Sequence, residues 1–144
     1  MFFDNGHWGK TSYLLENGMD VSLLRHKVIA DNIANVDVPH FKRSEVSFEA
    51  EMRRALDSER YVKANEVPTR LTDKKHIPFF RPKDYRSVTP RINIDYMTTM
   101  RNDGNNIDIE HEISSQLKNQ MRYQALSQQM NHPFRRMNIV MRAP

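Results

Sequence analysis

The stretch Asp31-Asn32-Ile33-Ala34-Asn35-Val36-Asp37-Val38-Pro39-His40-Phe41-Lys42 closes a long amphipathic segment with an unusual density of amide and carboxylate side chains. Upstream, Leu14, Val21, Leu24 and Val28 recur at steps of seven, three and four, and Leu15, Met19, Ile29 and Ile33 widen the same side. That period predicts a helix of roughly six turns with one face in need of a partner. Asn32 and Asn35 fall where the last carbonyls run out of intrahelical donors, and asparagine tolerates the left-handed backbone that ends many helices. Pro39 biases Val38 away from helical angles and makes the stop firm. Phe41 is expected to fold back as an apolar peg. Any one of these residues fits an ordinary helix end; together they read as a built junction.

A second helix is announced by Asp103-Gly104-Asn105-Asn106-Ile107-Asp108-Ile109-Glu110-His111-Glu112. Asn106 or Asp108 is the expected cap, and Asp108, Glu110 and Glu112 place negative charge at the positive end of the helix dipole. Ile109, Ile113, Leu117, Met121 and Ala125 follow at steps of four, extended by Leu126 and Met130, a stripe suited to a partner helix. Gln116, Gln120, Gln124, Gln128 and Gln129 form a polar flank beside it. Pro133 is expected to end or kink this helix, with Phe134, Met137, Val140 and Met141 resuming an apolar side in a last short segment. The chain thus divides into an N-terminal helix and junction (1–42), a middle region (43–105) and a kinked C-terminal helix (106–144).

In the middle region Ser44 or Ser47 is expected to cap a short helix in which Phe48, Met52, Ala55 and Leu56 share one side. Pro68, Pro78, Pro82 and Pro90 break the remainder of the region into loops and extended segments. Arg91-Ile92-Asn93-Ile94-Asp95-Tyr96 alternates polar and apolar, which predicts a half-buried strand, one arm of a hairpin. So long a region without strong elements makes more sense if neighbouring molecules order it.

Composition narrows the function. Leu, Ile, Val and Phe are 33 of 144 residues, about 23% and little above the ~20% below which chains tend not to fold alone. There is no cysteine, so disulfides, thiolate metal sites and a cysteine nucleophile are excluded. Met1 to Tyr13 has no apolar run of signal-peptide length, and no segment approaches a membrane span. The net charge of +4 is unevenly spread: no Asp or Glu follows Glu112, while Lys118, Arg122, Arg135, Arg136 and Arg142 lie beyond it. A basic tail can bind nucleic acid or an acidic membrane face, but zinc-finger, single-strand-binding and recognition-helix signatures are missing. Packing against other helices ranks higher, so neither nucleic-acid nor direct lipid binding is expected.

Catalysis finds little support. The six histidines are scattered, and Glu110-His111-Glu112 lacks a second histidine at metal-ligand spacing, so it reads as a solvated helix start. Glycine-rich phosphate loops and a nucleophile elbow are absent. No catalytic residue, metal or cofactor is expected. The residues expected to carry helix packing and assembly are Val21, Leu24, Val28, Ile113, Leu117 and Met121. Asn32, Ile33, Asn35, Pro39 and Phe41 are expected to set the junction.

Asp31 to Lys42 resembles the Asn-Asn-Ile-Ala-Asn-x-x-Thr-Pro-Gly-Tyr/Phe-Lys signature near the N-terminus of bacterial flagellar rod and hook proteins. Asp103 to Glu112 is similar to the Asp-Gly-Asn-x-Val-Asp-x-Glu-x-Glu segment that opens their C-terminal helix. The short middle, with Thr72-Asp73-Lys74-Lys75-His76-Ile77, and the ending Met130 to Arg142 resemble the smallest proximal rod members of that family. Asp31, Val38 and His40 depart from the signature; His40 replaces the glycine, and histidine is among the better non-glycine residues at positive φ. The resemblance implies a mainly α fold whose terminal helices pair as a coiled-coil-like hairpin, with a short helix, loops and a β-hairpin between them. It also implies a structural rod subunit that polymerises with itself and with other rod proteins, the basal-body membrane ring and the export apparatus. Its implied location is the periplasm, reached through the flagellar type III system without a cleavable signal. A basic helical adaptor for nucleic acid or acidic membrane is the alternative from another class.

Overall fold

A computed structural model describes residues 7–64, 72, 73, 75, 76 and 82–142. Its elements are α1 (His7–Ala34), β1 (Ser44–Ser47), α2 (Glu49–Ala64), a 3-10 turn (Tyr85–Ser87), β2 (Arg91–Ile94) and α3 (Ile109–Arg142). Two compact units result, one of Met1–Val46 with Ile92–Pro144 and one of Ser47–Arg91.

In the first unit α1 and α3 pack along each other. Their contacts run in opposite senses along the two helices: Trp8 meets Phe134 edge to face at 6.4 Å, Ser12 Oγ reaches Met130 Sδ at 3.9 Å, and Asn119 Nδ2 donates to the Ser22 carbonyl at 2.7 Å. The pair is therefore antiparallel, the expected helical hairpin. Gly18 leaves room for the Leu126 side chain, one methyl of which would stand 3.2 Å from a Cβ there. Val21, Val28 and Ile29 are buried on α1, and Leu24 is half-buried.

α3 narrows one expectation and redirects another. It stays helical from Ile109 through Pro133 to Arg142, so Pro133 does not end the helix. A proline forfeits one backbone bond and crowds the preceding turn at a cost of ~3 kcal/mol, and the turns on both sides hold the helix together. Packing within the chain falls on Glu112, Asn119, Leu126 and Met130, while Ile113, Leu117 and Met121 are 54%, 56% and 54% exposed. Leu117 and Met121 each lie two residues from Asn119, roughly 160° round a helix that turns ~100° per residue. The apolar stripe faces outward.

The expected small two-stranded sheet of the middle region forms. The strand at Arg91–Ile94 pairs with Ser44–Ser47, antiparallel as in a hairpin, but the arms are joined through α2 rather than a tight turn. Ile92 and Ile94 are exposed, not half-buried. Asp95 N–H donates to the Arg43 carbonyl at 2.9 Å and extends the ladder.

The second unit is built on α2. Neither Ser44 nor Ser47 caps it; both lie in β1, and the Phe48 carbonyl accepts the first bond, from Met52 N–H at 3.0 Å. Phe48, Met52 and Ala55 are buried, so the apolar side of α2 is the expected one and its packing overrides the expected caps. Lys83 ties the returning chain to α2, its Nζ 2.7 Å from a Glu51 carboxylate oxygen and its N–H donating to Ser58 Oγ. The Lys83 bond and charge hold the Glu51 carboxyl below its ordinary pKa. Pro68 and Pro78 lie outside the described residues.

Candidate functional site

Two surfaces of the first unit invite a functional reading: the junction where both helices meet the intervening chain, and the outward stripe of α3. At the junction the polar residues are inside. Asn32 is 1% exposed, Asn105 0%, Asn106 3% and Glu112 0%. Burying such groups is costly unless each is hydrogen-bonded, and here each has partners.

Asn32 is the hub. Its amide donates to the Ser44 carbonyl at 2.9 Å and to Glu112 Oε2 at 3.2 Å, and its Oδ1 accepts from Ser44 N–H at 3.0 Å. One side chain thus fixes β1 to the end of α1 and α1 to the start of α3. Glu112 Oε1 accepts a 2.6 Å bond from Arg43 Nε. Burial pulls the Arg43 pKa down, but the bonds and charges of Glu112 and Glu45 outweigh that and leave it raised. The expectation of a solvated start at Glu110-His111-Glu112 therefore fails for Glu112. That residue lies on the helix side turned toward α1, and Arg43 and Asn32 compensate its charge.

Asn105 and Asn106 stitch the two chain reversals together. Asn105 Nδ2 lies within 3.0–3.3 Å of the carbonyls of Asn35, Val36 and Val38, in the turn that follows α1. Its Oδ1 accepts from Ile107 N–H at 2.7 Å. Asn106 accepts from Arg43 N–H at 2.7 Å and donates to the Asp95 carbonyl and Thr98 Oγ1. Asp108, one of the two expected caps, caps α3 through Glu110 N–H at 3.0 Å. Thr98 Oγ1 donates to the Asp95 carboxylate at 2.6 Å, and this bond holds that group below its ordinary pKa.

Backbone geometry completes the lock. His40 takes φ of 60° and Gly104 φ of 80°. A Cβ on Gly104 would lie 2.7 Å from His40 Nδ1. Histidine thus occupies the left-handed turn for which the signature carries glycine. Lys42 Nζ crosses to the carbonyls of Thr98 and Gly104 at 3.0 and 2.9 Å.

Of the expected junction residues, Asn32 sits at the centre of the network, and the Asn35 amide donates to the Asp31 carbonyl at 2.7 Å. Ile33 and Phe41 are half-buried, and Pro39 is exposed in the turn. Reading the sequence missed Arg43, Asn105 and Asn106 as junction residues and Asn119 on the helix interface. Two adjacent amides before a helix start were the available signal for Asn105 and Asn106. Nothing in the local pattern marked Arg43 or Asn119.

Among the described residues no three His, Asp or Glu side chains gather where they could hold a metal ion, and no helix is long and apolar enough to cross a membrane. What this arrangement can do is hold two helices in one register and present the far side of α3 to a partner.

No family model matches the chain. Among curated proteins, the flagellar basal body rod protein FlgB of Borrelia hermsii is 43% identical over 124 residues, which is 86% of this chain and 90% of that protein. FlgB of Borreliella burgdorferi is 40% identical over the same shares, and FlgB of Bacillus subtilis 32% identical over 88% of this chain and 89% of its own length. With this identity spread over most of both chains, the polypeptide belongs to the FlgB family of flagellar basal body rod proteins.

Proposed function

We propose that this chain is a structural subunit of the proximal rod of the bacterial flagellar basal body, polymerising through its terminal helices to transmit torque and performing no covalent chemistry. The observation that carries this reading is the outward stripe of α3, whose Ile109, Ile113, Leu117 and Met121 are 44–56% exposed although α1 and α3 already pack together. Burying a large aliphatic side chain is worth ~1.5–3 kcal/mol, so covering that stripe by neighbouring copies stabilises an assembly. Val21 and Val28 hold the pair from within, and the polar junction sets its register for transmitting load.

Its partners are further copies, the other rod proteins, the basal-body membrane ring and the export apparatus. Its place is the periplasmic part of the basal body, reached through the flagellar type III channel. A chain without cysteine and with a modest core suits passage in unfolded form. Leu117→Asp tests the reading: basal bodies from cells carrying it should lack the variant subunit. Normal incorporation with full motility would overturn it.

A further inference from the structure

Asn119 sits where α3 meets α1 and is 5% exposed. Its Nδ2 donates to the Ser22 carbonyl at 2.7 Å, but its Oδ1 is buried with no hydrogen-bond partner among the described residues. Turning the amide over offers no remedy, because an oxygen would then face the Ser22 carbonyl. An acceptor shut away from water without a donor is costly, and a native structure that keeps one needs a reason.

The reason lies next to it. Asn119 lines a cavity of about 220 Å³ on the seam of the two helices, together with Ser22, Leu23, His26, Gln120 and Tyr123. One water takes up ~30 Å³ in the liquid, so the space is roomy enough for a bicyclic ring. Leu23 and Tyr123 supply apolar wall and are 54% and 37% exposed. Exposed side chains change rotamer within nanoseconds, so these two can swing aside and open Oδ1 to an entering molecule without disturbing the buried packing. Mostly apolar wall with a few placed polar groups is the make-up of a small-molecule site.

The missing partner is a donor, so the ligand brings an N–H or O–H. A cation is disfavoured: the charged residues next in sequence to the lining, Arg25, Lys27, Lys118 and Arg122, are all basic, and Asn119 has no charge to offset another. An anion would set its own lone pairs against Oδ1. We propose that the seam cavity beside Asn119 is a binding site for a small, neutral, flat aromatic molecule of about the size of indole that carries one N–H donor. Asn119 Oδ1 is its acceptor, and Leu23 and Tyr123 are its apolar walls. The site belongs to the free chain and stands apart from the rod reading.

The test titrates the isotope-labelled full chain with indole and with benzofuran, which has the same shape but an oxygen in place of the N–H, and follows both by NMR. Indole should shift the Asn119 side-chain amide signals saturably, and benzofuran should bind about fivefold more weakly or worse. Asn119→Leu should erase that preference. Leu23→Trp, at an exposed position, fills the cavity with its own ring and should abolish indole binding in a chain that still folds. If Asn119→Leu fails to fold, Leu23→Trp and the benzofuran comparison decide.

The proposal is overturned if indole produces no saturable shift or if the shifts centre on residues away from the cavity. It is equally overturned if benzofuran binds as well as indole, which would take Oδ1 out of the site, or if folded Leu23→Trp binds indole as the unaltered chain does. Because every arm uses the purified chain, none of these results depends on whether neighbouring copies cover the outward stripe.

Discussion

The junction and the outward stripe of α3 invert the usual distribution of side chains. Asn32, Asn105 and Glu112 are at most 1% exposed, whereas Ile113, Leu117 and Met121, on the same helix as Glu112, are more than half exposed. Polar groups are inside because each has a partner across a chain reversal, and a satisfied buried network specifies one geometry more sharply than apolar contact does. On the proposed rod reading, apolar groups are outside because neighbouring copies would cover them. The contrast divides the labour: the junction sets the geometry within one chain, and the stripe is the face we propose for contacts between subunits.

Removing Glu112 attacks the junction most directly. Glu112→Ala leaves Arg43 and the Asn32 amide without their buried acceptor, and breaking such a pair costs about 3–5 kcal/mol. Chemical denaturation of the purified chain should show a loss of that size, and a loss below ~1 kcal/mol would remove the network from any role in stability. Gly104→Ala comes next. It places a Cβ against the His40 ring at a φ of 80°, where an L-residue pays roughly 1–2 kcal/mol, and the same measurement reads it.

Leu117→Asp should be nearly silent on that scale, within ~0.5 kcal/mol, as expected of an exposed position. A large loss of monomer stability would mean that the stripe is buried within one subunit, and the contrast would collapse.

Acid provides the smallest effect. Asp95 and Glu51 have folded pKa values below their ordinary ones, chiefly through Thr98 and Lys83 respectively. Their contribution is present above the ordinary carboxylate range and is lost as pH falls through the lowered folded values. Thr98→Val should therefore move the Asp95 titration, followed by NMR, back up toward its ordinary value. Both carboxylates lie at the surface, so the shift in global stability is small.

Much of this is legible in the sequence, and the gaps have physical reasons. The seven-, three- and four-residue steps from Leu14 to Val28 locate α1, and Asp108 marks the start of α3, because caps and helical periods are local properties. The steps of four from Ile109 to Met121 correctly locate an apolar stripe on α3. A period, however, shows only that a face is apolar and not whether its partner lies in the same chain. The inner face of α3 is invisible for the opposite reason. Glu112 and Asn119 are polar, and their burial is intelligible only once Arg43, Asn32 and Ser22 stand beside them. The pairing of Ser44–Ser47 with Arg91–Ile94 likewise depends on a chain return that strand alternation cannot encode. Pro133 by itself leaves ending and kinking both open, and the helix carries on through it.

Footprinting by hydroxyl radicals compares the free chain with intact basal bodies and reads the outward stripe without altering a residue. Met121 is 54% exposed in the single subunit and should oxidise readily when the purified chain is treated. In isolated basal bodies it should be shielded at least several-fold, together with Leu117 beside it. Equal oxidation of Met121 in the free chain and in the basal body would contradict the claim that neighbouring subunits cover this face.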